Sequence, residues 1–63
     1  MSWTLYEVWA DDNGHEELID TTYSEPEAIQ MAKDAVEAGA DYAIIYREDK
    51  EGELIELMRF PGP

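Results

Sequence analysis

Apolar and polar residues alternate from the start of the chain. Trp3, Leu5 and Trp9 share one parity, interrupted by Glu7; Tyr6, Val8 and Ala10 share the other. This predicts a strand over residues 3–10. Asp11-Asp12-Asn13-Gly14 follows. Asn-Gly marks a two-residue hairpin, because a type I′ turn needs positive φ at both central positions. A second strand is expected over about residues 15–22. With Asn13-Gly14 as the loop, Trp9 falls opposite Leu18, Val8 opposite Ile19 and Tyr6 opposite Thr21. Glu7 then faces Asp20, an opposition of like charges that weakens a sheet.

The period changes after Ser24. Ser24 is placed to cap a helix and Glu27 to complete a capping box. Pro26 lies in the first turn, where its missing N–H costs nothing. The helix should run to about Ala38, with Gly39 as its left-handed terminator. Ala28, Ile29, Ala32, Ala35 and Val36 form its apolar stripe, with Met31 at the edge.

A third strand is predicted over residues 41–48, apolar on both faces at Tyr42-Ala43-Ile44-Ile45-Tyr46 and therefore central. A loop at Lys50-Glu51-Gly52 leads to a fourth strand from Glu53 to Arg59 or Phe60, ended by Pro61-Gly62-Pro63. Pairing from this loop sets Ile45 against Leu57, Ile44 against Met58 and Tyr42 against Phe60. Two hairpins around one helix give an α+β fold of order ββαββ. Its four-stranded antiparallel sheet has order 2-1-3-4, with the helix on one face. The whole chain, residues 1–63, reads as one domain.

By parity, Tyr6, Val8, Ile19, Ala43, Ile45, Ile55 and Leu57 face the helix. The other face carries Trp3, Leu5, Trp9, Leu18, Tyr42, Ile44, Tyr46, Leu54, Met58 and Phe60. Glu7, Asp20, Glu48 and Glu56 interrupt it. A large aromatic patch left uncovered usually marks an interface. Trp3, Leu5, Trp9, Tyr42, Tyr46, Met58 and Phe60 are therefore expected to meet a protein partner or a second copy of the chain. Closure by loops or termini is the plainer alternative.

Composition sharpens this picture at one point. Sixteen Asp and Glu stand against four Lys and Arg, a net charge of −12 over 63 residues. Direct binding to nucleic acid or an anionic membrane is disfavoured, since both require basic patches. A hydrophobic content of 44% argues for folding rather than disorder. No apolar run reaches the ~20 residues of a membrane span, and residues 1–4 lack the features of a signal peptide. A cytoplasmic protein is expected. Without cysteine, neither disulfides nor thiolate metal sites are available.

Little in the chain suggests catalysis. His15 is the only histidine and reads as an exposed hairpin residue beside Glu16 and Glu17. Ser24 is accounted for as a cap, and Ser2 has no evident base. The acidic turn at Asp11 and Asp12 lacks the ligand spacing of an EF-hand. The glycines fit turns, caps and the tail rather than a phosphate loop. The expectation is a non-enzymatic protein with no cofactor and no metal.

The acid itself supports two principal readings. Rows of carboxylates at Asp11, Asp12, Glu16 and Glu17, with Glu7, Asp20, Glu48 and Glu56 on the aromatic face, can imitate the charge of nucleic acid. They would then block a basic nucleic-acid-binding protein, as inhibitors of phage or mobile-element type do. The alternative is a homodimeric accessory or regulatory protein, acidic for solubility or because its host is salt-adapted. The orderly caps and turns also suit a designed miniprotein. The uncovered aromatic face, the Glu7–Asp20 opposition and the scarcity of lysine count against design.

Overall fold

A computed structural model describes residues 3–61; Ser2, Gly62 and Pro63, named above, lie outside them. Strands β1 (Tyr6–Asp12) and β2 (His15–Thr22) precede helix α1 (Glu25–Glu37), and strands β3 (Tyr42–Glu48) and β4 (Leu54–Phe60) follow it. The sheet has order β2-β1-β3-β4, and all three pairings are antiparallel. This is the ββαββ arrangement expected from the hydrophobic pattern.

Local chemistry sets the element boundaries. Asn13 and Gly14 have φ of 55° and 79°, which the type I′ turn requires. The Asp11 carboxylate reinforces the turn by accepting from the Gly14 N–H at 3.0 Å. At the helix start, Ser24 Oγ accepts from the Glu27 N–H at 3.4 Å. The expected return bond of a capping box runs through a third residue. Glu27 accepts from the Thr22 hydroxyl at 3.0 Å, and that hydroxyl accepts from the Ser24 N–H at 3.1 Å. The helix ends in a Schellman motif. Gly39 N–H bonds to Val36 O and Ala40 N–H to Ala35 O, each at 3.1 Å, with Gly39 at φ 118°.

Val8, Ala28, Ala32, Ala43 and Ile45 form a fully buried cluster between helix and sheet. Ala28 and Ala32 on α1 and Ala43 on β3 are small enough to bring the two layers close. Tyr6, Ile29, Met31, Ala35, Val36, Met58 and Phe60 close the rim of the cluster.

Two bulges change the expected register. Trp9 pairs with Leu18, but Val8 pairs with Asp20, so Ile19 is an extra residue in β2. Tyr6 therefore faces Thr22 instead of Thr21. Glu7 faces Thr21 instead of Asp20, and the anticipated like-charge opposition does not occur. In the second hairpin Tyr46 pairs with Glu56 but Ile45 with Met58, leaving Leu57 extra. Ile44 faces Arg59 and Ala43 faces Phe60. Because side chains alternate with period two, one inserted residue reverses every face beyond it. Met58 and Phe60, expected on the open face, therefore pack under the helix. Ile19 and Leu57 are left 46% and 37% exposed. Strand β1 also begins later than expected. Trp3 and Leu5 precede it, although Leu5 O still accepts from the Glu48 N–H at 3.2 Å.

The core assignment has a direct test. Replacing the fully buried Ile45 with alanine should destabilise by about 3 kcal/mol through lost burial and a cavity. Ile55→Ala, on an exposed stretch of β4, should cost less than about 1 kcal/mol. Urea unfolding of both variants measures the difference; equal losses would contradict the placement of the core.

Candidate functional site

The candidate site is the sheet face opposite the helix. Strand alternation, corrected for the bulges, places Glu7, Trp9 and Asp11 of β1 there. They pair with Tyr46, Ile44 and Tyr42 of β3 respectively. Glu56 and Arg59 of β4 pair with Tyr46 and Ile44 from the other side. Glu16 and Leu18 of β2 pair with Asp11 and Trp9.

This face is closed by its own side chains more than the apolar pattern suggested. Ile44 lies at its centre and is only 2% exposed. Its strand neighbours are Trp9 and Arg59, and Tyr42 and Tyr46 stand two residues to either side. The Trp9 and Tyr46 rings meet edge to face at 6.4 Å and 90°, a favoured aromatic geometry. The Arg59 guanidinium sits over the Tyr42 ring at 5.0 Å, within cation–π range.

Each polar tip on this face is bonded to a carboxylate. Trp9 Nε1–H donates to Glu7 at 3.0 Å. Tyr42 OH donates to Asp11 at 3.2 Å. Tyr46 OH donates to Glu16 at 3.4 Å. Arg59 Nη2–H donates to Glu56 at 3.0 Å. Of the acids expected to interrupt the aromatic surface, Glu7 and Glu56 serve as its hydrogen-bond acceptors, joined by Asp11 and Glu16 of the hairpin; Asp20, expected there as well, pairs with Val8 because of the bulge and falls on the other face. No buried side-chain nitrogen or oxygen among the described residues lacks a partner.

The same contacts set the electrostatics. Burial of the Tyr42 phenol raises its pKa above the ordinary 10.0, and the Asp11 charge and hydrogen bond add to the rise. Tyr46 is raised by burial and then by Glu16, with a further contribution from Glu56. In both cases Arg59 pulls the other way. The Arg59 pKa is itself raised by its hydrogen bond and ion pair with Glu56.

The acidic residues fall into distinct groups. Asp11 is 7% exposed and anchors the hairpin tip. One carboxylate oxygen holds Gly14, the other holds Tyr42, and its backbone carbonyl accepts from Asp41 N–H at 2.8 Å. Asp12, Glu16, Glu17 and Asp20 are exposed along the first hairpin. Glu17 approaches His15 at 3.8 Å, both well exposed. Asp20 accepts from the Thr21 N–H at 2.8 Å. Glu48 is exposed at the end of β3. Trp9, Tyr42 and Tyr46 cluster as expected, whereas Trp3 stands apart, 72% exposed and edge-on to Tyr23 at 6.0 Å.

Arg59 is the functional-site residue that sequence reasoning missed. The unbulged register assigns it to the helix side, and only the extra residue at Leu57 brings it over Tyr42. Tyr23, the ring beside Trp3, was also missed; the turn before the helix carries no pattern that marks it.

Trp9, Glu16, Tyr46 and Leu54 line a shallow open cleft on this face. Among the described residues, no group of three or more His, Asp or Glu is arranged to hold a metal ion. No helix is long and apolar enough to cross a membrane. No family of known proteins, no curated protein and no solved structure matches the chain.

The raised tyrosine pKa values give a pH dependence of known sign. A phenol that holds its proton more tightly when folded contributes its full stabilisation below its unfolded pKa of about 10, and loses it as pH rises through the folded value. Stability should therefore hold to about pH 9 and fall above about pH 10. The Tyr42→Phe/Tyr46→Phe double variant should fall less steeply over the same range. Denaturant midpoints across the series measure this; identical slopes would contradict the assignment.

Proposed function

We propose that the protein is a non-enzymatic binding module that uses carboxylates to engage a basic protein, blocking a surface that otherwise receives nucleic acid. The observation that carries this reading is the sorting of charge. The first hairpin holds Glu7, Asp11, Asp12, Glu16, Glu17 and Asp20 and contains no lysine or arginine. All four basic residues, Lys33, Arg47, Lys50 and Arg59, come later. Among the described residues, Arg59–Glu56 is the only ion pair made by a lysine or arginine, so no described lysine or arginine neutralises the hairpin carboxylates.

The shape of that charge favours a macromolecular partner over a small ligand. Every residue of β2 from His15 to Thr21 is exposed, and β2 is an edge strand. Glu16 and Glu17 are adjacent on this strand and point to opposite faces, and Asp20 lies further along it, so the edge presents exposed charge on both sides instead of a pocket. Exposed charge of this density attracts basic surfaces by the electrostatics that draw in phosphate, with a strong dependence on salt. Asp11 stands outside this role, because its carboxylate is occupied by the fold.

The test is charge reversal at the exposed positions alone. Asp12→Lys/Glu16→Lys/Glu17→Lys leaves Asp11 in place. Immobilised wild-type protein should capture basic nucleic-acid-binding proteins from the source cell at low salt. Added DNA or RNA should displace them, and the triple variant should lose at least about tenfold of the capture. Captured proteins that ignore both nucleic acid and the reversal would overturn the proposal.

A further inference from the structure

The open face already contains one complete cation site. The Arg59 guanidinium lies over the Tyr42 ring at 5.0 Å and is held by the Glu56 carboxylate at 3.0 Å. Ring and carboxylate together are what a guanidinium prefers, since it stacks through its plane and hydrogen-bonds through its edge.

The same elements recur beside it, and among the described residues no lysine or arginine lines the cleft they form. Trp9 and Tyr46 stand at 90° with their centroids 6.4 Å apart. They form two walls of the cleft that Glu16 and Leu54 complete. Glu16 reaches the Tyr46 hydroxyl, and Glu7 bonds the Trp9 indole N–H, so both rings carry a carboxylate at their polar edge. Neither Lys33, Arg47 nor Lys50 belongs to this group. Lys33 lies over Phe60 at 6.0 Å, and Arg47 and Lys50 lie around the second turn.

We propose that the Trp9–Tyr46 cleft receives an arginine side chain of the basic partner. The guanidinium lies against the rings with its edge toward Glu16. Tryptophan is the strongest cation–π partner among the aromatic side chains, and anchor contacts of this kind dominate many interfaces. The site deepens the reading of the protein as an acidic binding module and rests on it. It assigns the short-range contact to two rings and Glu16, and leaves long-range attraction to the remaining hairpin acids. An arginine is specified over a lysine because only the planar group can stack and hydrogen-bond at once.

Titration of isotopically labelled protein with a hexa-arginine peptide, followed residue by residue by NMR, tests the site. The largest shifts should fall on the Trp9 indole N–H and on Tyr46. Hexa-lysine should bind more weakly. Glu16→Gln, which keeps an oxygen for the Tyr46 hydroxyl, should weaken binding about fivefold, and Trp9→Leu by at least as much. Glu37→Gln removes the same charge from the helix and should change affinity less than about twofold. If Trp9→Leu fails to fold, Glu16→Gln against Glu37→Gln still decides. Shifts spread over Asp12 and Glu17, with equal effects of the two glutamine variants, would overturn the cleft while leaving the broader reading intact. Absence of binding at about 20 mM salt, where screening is weak, would overturn both.

Discussion

Mutual repulsion among sixteen carboxylates, opposed by four basic side chains, is the constraint to which the rest of the structure responds. Self-repulsion of this kind works against any compact state. On the open sheet face the fold meets it by giving carboxylates hydrogen-bond donors, three of them neutral and one a cation. An indole, two phenols and a guanidinium take Glu7, Asp11, Glu16 and Glu56. Hydrogen bonds to a charged acceptor are stronger than neutral ones, so the aromatic face organises charge that would otherwise disorder it. Asp11 is the extreme case, joining the first hairpin to β3 through side chain and backbone alike.

The opposite face follows a different logic. A helix of thirteen residues can cover only a narrow strip of sheet, so the core is built from close contacts between small side chains. Ala28, Ala32 and Ala43 allow Val8 and Ile45 to be fully enclosed. The bulge at Leu57 then turns Met58 and Phe60 inward to seal the rim. The same inserted residue delivers Arg59 to the other face, so one backbone irregularity serves both the core and the candidate site. The bulge at Ile19 has a comparable effect, setting Thr21 instead of Asp20 against Glu7. Bulges and charged side chains also protect an exposed edge strand from pairing with other chains.

Much of this was legible in the chain, for identifiable reasons. Asn13-Gly14, Ser24-Glu25-Pro26-Glu27 and Gly39 each carry stereochemistry that few other residues satisfy, so the turn and helix limits could be read directly. The strand order followed from the doubly apolar character of residues 42–46. The bulges were not legible. The run from Leu54 to Phe60 is apolar on both parities, so alternation alone cannot say where an extra residue enters. Misreading that point reversed Met58, Arg59 and Phe60 together. For the candidate site, Trp9, Tyr42, Tyr46, Glu7 and Glu16 were identified by type and position. Their pairing of ring to carboxylate depends on side-chain reach, which a linear pattern does not contain.

If the acid of the first hairpin serves a partner surface, it is not a condition of folding. The aromatic–carboxylate bonds and the alanine-lined core should hold the structure without added salt. Circular dichroism in dilute buffer and in molar potassium chloride tests this most directly. The protein should be folded in dilute buffer with a cooperative urea transition, and its midpoint should rise only modestly as salt screens the repulsion. A chain that is unfolded in dilute buffer and folds only as salt approaches about 1 M would contradict it, and would make the acid an adaptation to the solvent.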